Sequence, residues 1–239
     1  MKYDYIFFDS GGTLYGSGAD CDPSPAQVAA RNVKRVHALL GGMGLEVDFD
    51  LLEKETVRQT EICKRNLGKG FNFFRLMEAV VKELGLPLGS EETACLADAY
   101  AGPRYAKWLF PGTQDALQAL CDEGYRLGII ANTSWPGFCM DRAFAGVGLL
   151  PFFDIRIYSG DIGIAKPDPA IFRLAERMTG IEGKGKRILY VGNDLQADIE
   201  GASGVGWATA FRRGSRSTTE GLADFEFYHI AELLSHCLD

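Results

Sequence analysis

The sequence feature that most constrains the fold is a short apolar run that ends in an aspartate near the start of the chain. Four apolar residues, Tyr5 to Phe8, precede Asp9 and the pair Gly11-Gly12. Such a run is typical of a buried strand, and in open α/β sheets a buried strand delivers the residue at its end into the ligand-binding crevice. For an isolated Asp, capping of the following turn is the simpler interpretation. Three later segments, however, also place polar groups at a strand end or helix start, which favours a functional role for Asp9.

The second half of the chain alternates between predicted helices and strands. After Asp9, strands are predicted at residues 126–131, 155–158, 187–191 and 207–211, the last being the final strand of the sheet. Helices are predicted from Thr113 to Gly124, around residues 138–144 and from Asp168-Pro169 to Met178, with a loop over residues 160–166. Strands that alternate with helices of this length predict a parallel, doubly wound sheet.

The stretch between residues 16 and 108 has a different, helical pattern. Four helices are predicted there: from an N-cap at Ser24 to Leu40, from a capping box at Asp50 to Leu67, from a cap at Asn72 to Leu84, and from Ser90 to about Ala101. No strand-like alternation interrupts them. We therefore predict an α/β protein with a Rossmann-like core formed by residues 1–15 and 109–239. Residues 16–108 form an all-helical insertion that covers the C-terminal edge of the sheet.

Composition excludes several classes of partner. The 239 residues carry a net charge of -7, which disfavours binding to nucleic acid or to an anionic membrane surface. The N-terminal residues lack the apolar core of a signal peptide, and no apolar run reaches the roughly 18 residues of a membrane-spanning helix. The six cysteines contain no C-x-x-C pair, so we expect free thiols and a cytoplasmic location.

Four motifs resemble those of the haloacid dehalogenase superfamily, in the same order. They are Asp9-x-x-Gly12-Thr13-Leu14, Ala131-Asn132 after a strand, Lys166-Pro167 before a helix, and Gly192-Asn193-Asp194 with Asp198. The helical insertion between the first two motifs is similar to the cap of one subgroup. The resemblance covers essentially the whole chain. It implies a hydrolase that acts on a small phosphorylated metabolite through a covalent intermediate.

The chemistry of the residues agrees with this resemblance. A carboxylate such as Asp9 can attack a phosphoryl group when a cation holds it ionised, and Lys166 is suited to that role. Mg²⁺ prefers oxygen ligands, which Asp9, the main-chain carbonyl of Gly11, Asn193 and Asp194 would supply. Hydrogen bonds to the substrate anion are expected from five positions: Gly12, Thr13, Ala131, Asn132 and Lys166. Asp198 is expected to have a supporting role.

Three positions depart from the family pattern. Gly11 stands where the phosphatases carry a second Asp, the general acid and base, whose help is worth about 10²–10⁴-fold in rate. Ala131 stands where Ser or Thr is usual, and the missing hydroxyl would have to come from Thr133 or Ser134. Asn193 stands where Asp is common, so the predicted magnesium site carries one negative charge fewer.

Three functional hypotheses follow. The first is a magnesium-dependent phosphatase, and the second is dehalogenase or phosphonatase chemistry on the same scaffold, because those enzymes also lack the second Asp. Phosphonatase chemistry needs a cap lysine, for which there are four candidates: Lys54, Lys64, Lys69 and Lys82. The third is a catalytically feeble protein that binds a phosphorylated metabolite. The pair Arg212-Arg213 is expected to be exposed, and the P-loop-like Gly180 to Lys186 segment to be a solvated turn.

Overall fold

Six parallel strands form a single sheet in the computed structural model, which describes residues 2–16, 25–103, 108–214 and 221–238. The strands are β1 (Tyr5–Phe8), β2 (Arg126–Ala131), β3 (Phe153–Tyr158), β4 (Ile188–Gly192), β5 (Ala208–Arg212) and β6 (Phe225–Phe227). Their order across the sheet is β3-β2-β1-β4-β5-β6. The predicted α/β class with a doubly wound parallel sheet is therefore confirmed.

Ten α-helices accompany the sheet in the described residues. They are α1 (Pro25–Gly42), α2 (Phe49–Leu67), α3 (Phe73–Glu83), α4 (Ser90–Ala101), α5 (Thr113–Asp122), α6 (Gly137–Gly146), α7 (Ser159–Ile162), α8 (Pro169–Thr179), α9 (Gly201–Gly204) and α10 (Ile230–Leu238). A π-helical segment, Leu195–Glu200, leads directly into α9.

Strand β1 lies at the point where the strand order reverses, since β2 and β3 extend to one side of it and β4 to β6 to the other. Phe8 is paired with Ile129 of β2 and with Val191 of β4. The backbone N–H of Asp9 continues this ladder by donating to the carbonyl of Val191 at 2.9 Å. The C-terminal ends of three strands therefore meet beside Asp9, at the position where doubly wound sheets bind ligands.

Alternation along β1 divides the core into two layers. Ile6 and Phe8 pack on one face of the sheet with residues of α5, α6 and α10. Tyr5 and Phe7 pack on the other face with Trp207 and residues of α8 and α9. All four β1 side chains are buried, which explains why the strand reads as a continuous apolar run.

The helices α1 to α4 share a separate hydrophobic cluster that includes Val36, Leu52, Leu76 and Leu96. The segments that connect these helices to the sheet lie side by side, since the N–H of Gly16 donates to the carbonyl of Trp108 at 3.0 Å. The N-terminal end of α3 and its cap also contact the segments that follow β2 and β3. The Asn72 amide donates to the Gly160 carbonyl at 2.9 Å, and the Phe73 N–H donates to the Ser134 carbonyl at 2.9 Å.

Several predicted element boundaries were wrong. The cap of α2 is Asp48, whose side chain accepts from the N–H of Leu51, and not Asp50. The predicted loop over residues 160–166 contains part of α7. Strand β5 is not the last, because β6 follows it, and α10 was also missed. The predicted cap Ser24 lies outside the described residues.

Two expectations about the whole chain concern cysteines and membranes. The five cysteines in the described ranges are free; Cys21 lies outside them. Within the same ranges, no helix combines the length and the apolar character needed to cross a bilayer.

Candidate active site

The Lys166 ammonium group lies at the centre of the site and is buried. It donates to three acceptors: Asp9 Oδ1 at 2.9 Å, Asp198 Oδ1 at 2.7 Å and the Tyr190 hydroxyl at 2.6 Å. An ammonium group has three N–H donors, so all of them are satisfied. The predicted pairing of Lys166 with Asp9 is present in the structure.

Burial and charge act on this cluster in opposite directions. Burial alone lowers the pKa of Lys166, but the carboxylates of Asp9 and Asp198 outweigh it and raise the pKa above its usual value. Burial raises the pKa of Asp9, against the lowering effect of Lys166, and the charge of Asp198 raises it further. One cation thus faces two buried carboxylates. The site has an uncompensated negative charge that a further cation would neutralise.

The position of Lys166 depends on the loop after β2. The Asn132 side chain donates through Nδ2 to the carbonyl of Lys166 and accepts from its N–H through Oδ1, both at 2.9 Å. The peptide bond between Lys166 and Pro167 is cis. Asp168 then caps α8 by accepting from the N–H of Ala170. Asn132 therefore connects the second and third sequence motifs, and its side chain is occupied by that role.

Asp198 holds Lys166 with one carboxylate oxygen and the loop after β4 with the other. Its Oδ2 accepts from the N–H groups of Asn193 and Asp194, both at 2.9 Å. A Cβ atom at Gly192 would lie 2.4 Å from the Asp198 Cβ, so only glycine allows this approach. The supporting role predicted for Asp198 thus has a structural basis in its contacts with Lys166 and with the loop after β4.

The Asn193 side chain points at the loop that follows Asp9. One terminal atom of its amide lies 3.0 Å from Thr13 Oγ1, 3.1 Å from the Gly11 carbonyl and 3.3 Å from Asp9 Oδ2. An NH₂ group at this position donates to these three oxygens. An oxygen at this position accepts from the Thr13 hydroxyl and needs a cation between it and the other two oxygens. A Cβ at Gly12, which has a φ of 87°, would lie 2.5 Å from the same amide.

The oxygen atoms at this position are suited to bind a magnesium ion. Asp9 Oδ2, the Gly11 carbonyl and the Asn193 amide oxygen would be three hard oxygen ligands. The Asn193 amide atom lies 3.1 Å from the Gly11 carbonyl oxygen and 3.3 Å from Asp9 Oδ2. Both distances are close to the roughly 3 Å between neighbouring ligands of an octahedron with bonds of about 2.1 Å. Groups of three or more His, Cys, Asp or Glu side chains suited to a metal are absent from the described part of the chain. A main-chain carbonyl and an amide would therefore have to complete the coordination.

Four other predicted residues lie near the cluster without joining it. The Asp194 carboxylate is exposed and caps the π-helical segment by accepting from the N–H of Ala197 at 2.8 Å. Ala131 is fully buried at the end of β2. The Thr133 hydroxyl accepts from the N–H of Trp135 at 3.0 Å, and the Ser134 carbonyl accepts from Phe73. The Thr133 hydroxyl thus serves the turn itself.

Two contacts were not anticipated. Tyr190 was missed because it lies within the apolar run of β4, where a tyrosine suggests only core packing. Its hydroxyl donates to the Ile130 carbonyl at 2.8 Å and therefore accepts from Lys166. Arg212, expected to be exposed, is half-buried and donates to the Gly12 carbonyl at 3.0 Å. Its guanidinium lies over the ring of Phe110, and burial lowers its pKa.

Comparison with known proteins agrees with the fold and with the four motifs. The family of haloacid dehalogenase-like hydrolases matches residues 3–206. A glyceraldehyde 3-phosphate phosphatase from Methanopyrus kandleri is 30% identical over 236 residues, which is 96% of this chain and 94% of the relative. The chain therefore belongs to the haloacid dehalogenase-like hydrolases, and the predicted family and hydrolase class are confirmed.

Two solved structures share the fold. A phosphatase of this superfamily from Thermococcus onnurineus has a TM-score of 0.60 at 23% identity, with 98% of this chain and 97% of that chain covered. A 2-haloacid dehalogenase from Pseudomonas syringae has a TM-score of 0.63 at 22% identity, with 99% and 98% covered. At these identities the two structures support the fold alone, and they include both kinds of chemistry considered above.

Proposed function

We propose that this protein is a magnesium-dependent phosphatase that acts on a small phosphorylated metabolite through an aspartyl-phosphate at Asp9. The observation that carries the proposal is the buried Lys166 ammonium, shared between Asp9 and Asp198, beside three oxygens suited to Mg²⁺. A carboxylate nucleophile has to be ionised and oriented. Lys166 opposes the rise that burial causes in the pKa of Asp9, and it binds one of the carboxylate oxygens. Bound Mg²⁺ would add positive charge against the phosphoryl oxygens.

In the proposed reaction the Asp9 carboxylate attacks phosphorus, and the bond to the leaving oxygen breaks. Water then attacks the aspartyl-phosphate, which releases phosphate and restores the carboxylate. Lys166 remains close to the charge that moves through these steps, and Asp198 and Tyr190 hold it in place. The main-chain N–H of Gly11 is suited to bind a phosphoryl oxygen. The N–H of Gly12 instead donates to the Tyr15 carbonyl, and the Thr13 hydroxyl lies within hydrogen-bonding distance of Asp9 and Asn193.

We further propose that residues 16–108 act as the cap over this site. Helices α1 and α2 border a cavity of about 720 Å³ whose wall also includes Phe71, Phe73, Tyr100 and Ser134. Ser134 belongs to the loop that positions Lys166 through Asn132. This arrangement supports binding of the organic part of the substrate in the cavity.

Carbon–halogen or carbon–phosphorus cleavage is the second candidate, favoured by the absence of a carboxylate at Gly11. Of the four cap lysines that phosphonatase chemistry would need, Lys54 and Lys64 border the cavity. A catalytically feeble binding protein is the third candidate.

The test is a turnover assay with and without Mg²⁺ over phosphate esters, acyl phosphates, phosphonates and 2-haloacids. Glyceraldehyde 3-phosphate belongs in the panel because of the relative from Methanopyrus kandleri. Phosphate release from esters that stops with a chelator supports the proposal. Release of halide, cleavage of phosphonates alone, or binding without turnover would each replace it with one of the alternatives.

A further inference from the structure

Gly11 leaves a space in the loop after β1, and the ring of Tyr15 borders that space. A Cβ atom at Gly11 would lie 3.8 Å from Tyr15 Cε2 and 3.9 Å from the Tyr15 hydroxyl oxygen. Gly11 itself is exposed, and Tyr15 is half-buried. The phenol therefore lies close to the place where a carboxylate at position 11 would begin.

The loop holds Tyr15 in this position. The N–H of Gly12 donates to the Tyr15 carbonyl at 2.7 Å, and the Tyr15 N–H donates to the Ser10 carbonyl at 3.4 Å. The Tyr15 hydroxyl donates to Ser10 Oγ at 3.4 Å, and its ring packs edge-on against Phe144 with 6.5 Å between centroids. The loop thus closes on itself directly after Asp9, with the hydroxyl on the Ser10–Gly11 segment.

We propose, resting on the phosphatase function proposed above, that the Tyr15 hydroxyl protonates the leaving oxygen in place of the missing carboxylic acid. As the Asp9 carboxylate forms its bond to phosphorus, the phosphorus–oxygen ester bond breaks and the leaving oxygen takes the phenolic proton. Water then attacks the aspartyl-phosphate and gives one proton to the phenolate. Phosphate departs, and both Asp9 and Tyr15 return to their starting states.

The chemistry of a phenol suits this step. Tyrosine is among the side chains that serve as general acids and bases. A phenol is a far stronger acid than an alkyl alcohol, so transfer of its proton to a departing alkoxide is favourable. An aryl phosphate with an electron-withdrawing ring has a stable leaving group and needs no proton. The role of Tyr15 should therefore depend on the leaving group.

The experiment compares the parent with Tyr15→Phe on an alkyl phosphate, such as glycerol phosphate, and on p-nitrophenyl phosphate. We expect kcat for the alkyl ester to fall by about 10²-fold and kcat for the aryl ester to change less than about threefold. KM should change little for either ester. The double variant Tyr15→Phe/Gly11→Asp should recover alkyl-ester turnover, because it restores an acid in the adjacent space. Tyr228→Phe, which removes a phenol hydroxyl on the exposed surface, is the matched control.

Three results would overturn the role of Tyr15. An equal loss on both esters, with a lowered melting temperature, would show that Tyr15 only supports the loop. No loss on the alkyl ester would place the proton donor elsewhere. A parent that hydrolyses no phosphate ester would overturn the phosphatase function, and the role of Tyr15 with it.

Discussion

The Lys166 ammonium lies 2.7 Å from Asp198 Oδ1, closer than its 2.9 Å approach to the candidate nucleophile Asp9. Asp198 in turn uses its other oxygen to hold the loop that carries Asn193. A single carboxylate thereby fixes both the cation and the third candidate metal ligand relative to Asp9. Changes at Lys166 should consequently affect stability as well as catalysis.

Replacement of Asp9 by Asn should abolish phosphate-ester turnover and leave the fold intact. The two side chains have nearly the same shape, but the amide is not a nucleophile for phosphoryl transfer. Turnover and circular dichroism are the measurements, and Asp154→Asn, on the exposed end of a surface ion pair with Arg126, is the control. More than about 1% residual activity would exclude Asp9 as the nucleophile.

Replacement of Lys166 by Met should eliminate activity and also lower the free energy of unfolding. Asp9 and Asp198 would be left buried without their cation, which costs about 3–5 kcal/mol in comparable sites. Denaturant titration measures this loss. The double variant Lys166→Met/Asp198→Asn should recover part of the stability and none of the activity, since one buried charge is removed with its partner. Parent-like kinetics of Lys166→Met would show that another lysine serves the site.

Replacement of Tyr190 by Phe should reduce kcat together with stability. The change removes one acceptor of Lys166 and the donor to the Ile130 carbonyl, at a cost of about 1–3 kcal/mol. Tyr125→Phe is a matched control, because it too removes a buried hydroxyl that donates to a backbone carbonyl, that of Cys237 at 2.6 Å. If both variants lose the same stability and only Tyr190→Phe loses activity, Tyr190 positions Lys166. Equal kinetics in the two variants would reduce Tyr190 to a packing residue.

Replacement of Asn193 by Asp should lower the melting temperature of the metal-free protein and raise it when Mg²⁺ is bound. A second carboxylate about 3.3 Å from Asp9 Oδ2 is repulsive in the metal-free protein, whereas it adds a charged ligand when the ion is bound. We expect Mg²⁺ affinity to rise by about tenfold, or about 1.4 kcal/mol, measured by calorimetry. Asn66→Asp, exposed on α2, is the control. A change of the same sign in both conditions would place the ion away from Asn193.

Sequence patterns predicted the elements that are long or buried on both sides. Strand β2 was predicted with its limits Arg126–Ala131, because all of its residues after the first form the uninterrupted apolar run of a buried parallel strand. Strand β6 was missed because three residues at the edge of a sheet carry little periodicity. Asp50 was predicted as a cap because Glu53 completes a capping box with it, whereas the cap is Asp48 and Asp50 lies in the first turn of α2.

The candidate site was predicted as a set of residues but not as a network. The motifs identify Asp9, Lys166 and Asp198, since polar residues at strand ends are visible in a sequence. The hydroxyl of Tyr190 is not visible in this way, because its function depends on which atoms lie across β1. The same applies to the side chain of Asn132, which is hydrogen-bonded to Lys166, 34 positions further along the chain.

Replacement of Gly11 by Asp should raise turnover of alkyl phosphates selectively. Gly11 does not adopt a positive φ, and a Cβ there would make only ordinary contacts, the shortest being 3.8 Å to Tyr15. The carboxyl group can therefore be added without backbone strain, and it supplies the carboxylic acid that position 11 lacks. Alkyl-phosphate turnover should increase by up to about 10²-fold in the Tyr15→Phe background, and aryl-phosphate turnover should change little.

The gain in the parent should be smaller than in the Tyr15→Phe variant, because Tyr15 already supplies a proton there. Gly11→Asn is the matched control, since it adds the same bulk but no acid, and it should give no gain in either background. An equal gain for alkyl and aryl esters would mean that position 11 acts through metal or loop geometry. Equal gains in both backgrounds would show that Tyr15 is not a proton donor. A donor already present at Tyr15 has to reduce the benefit of a second donor at position 11.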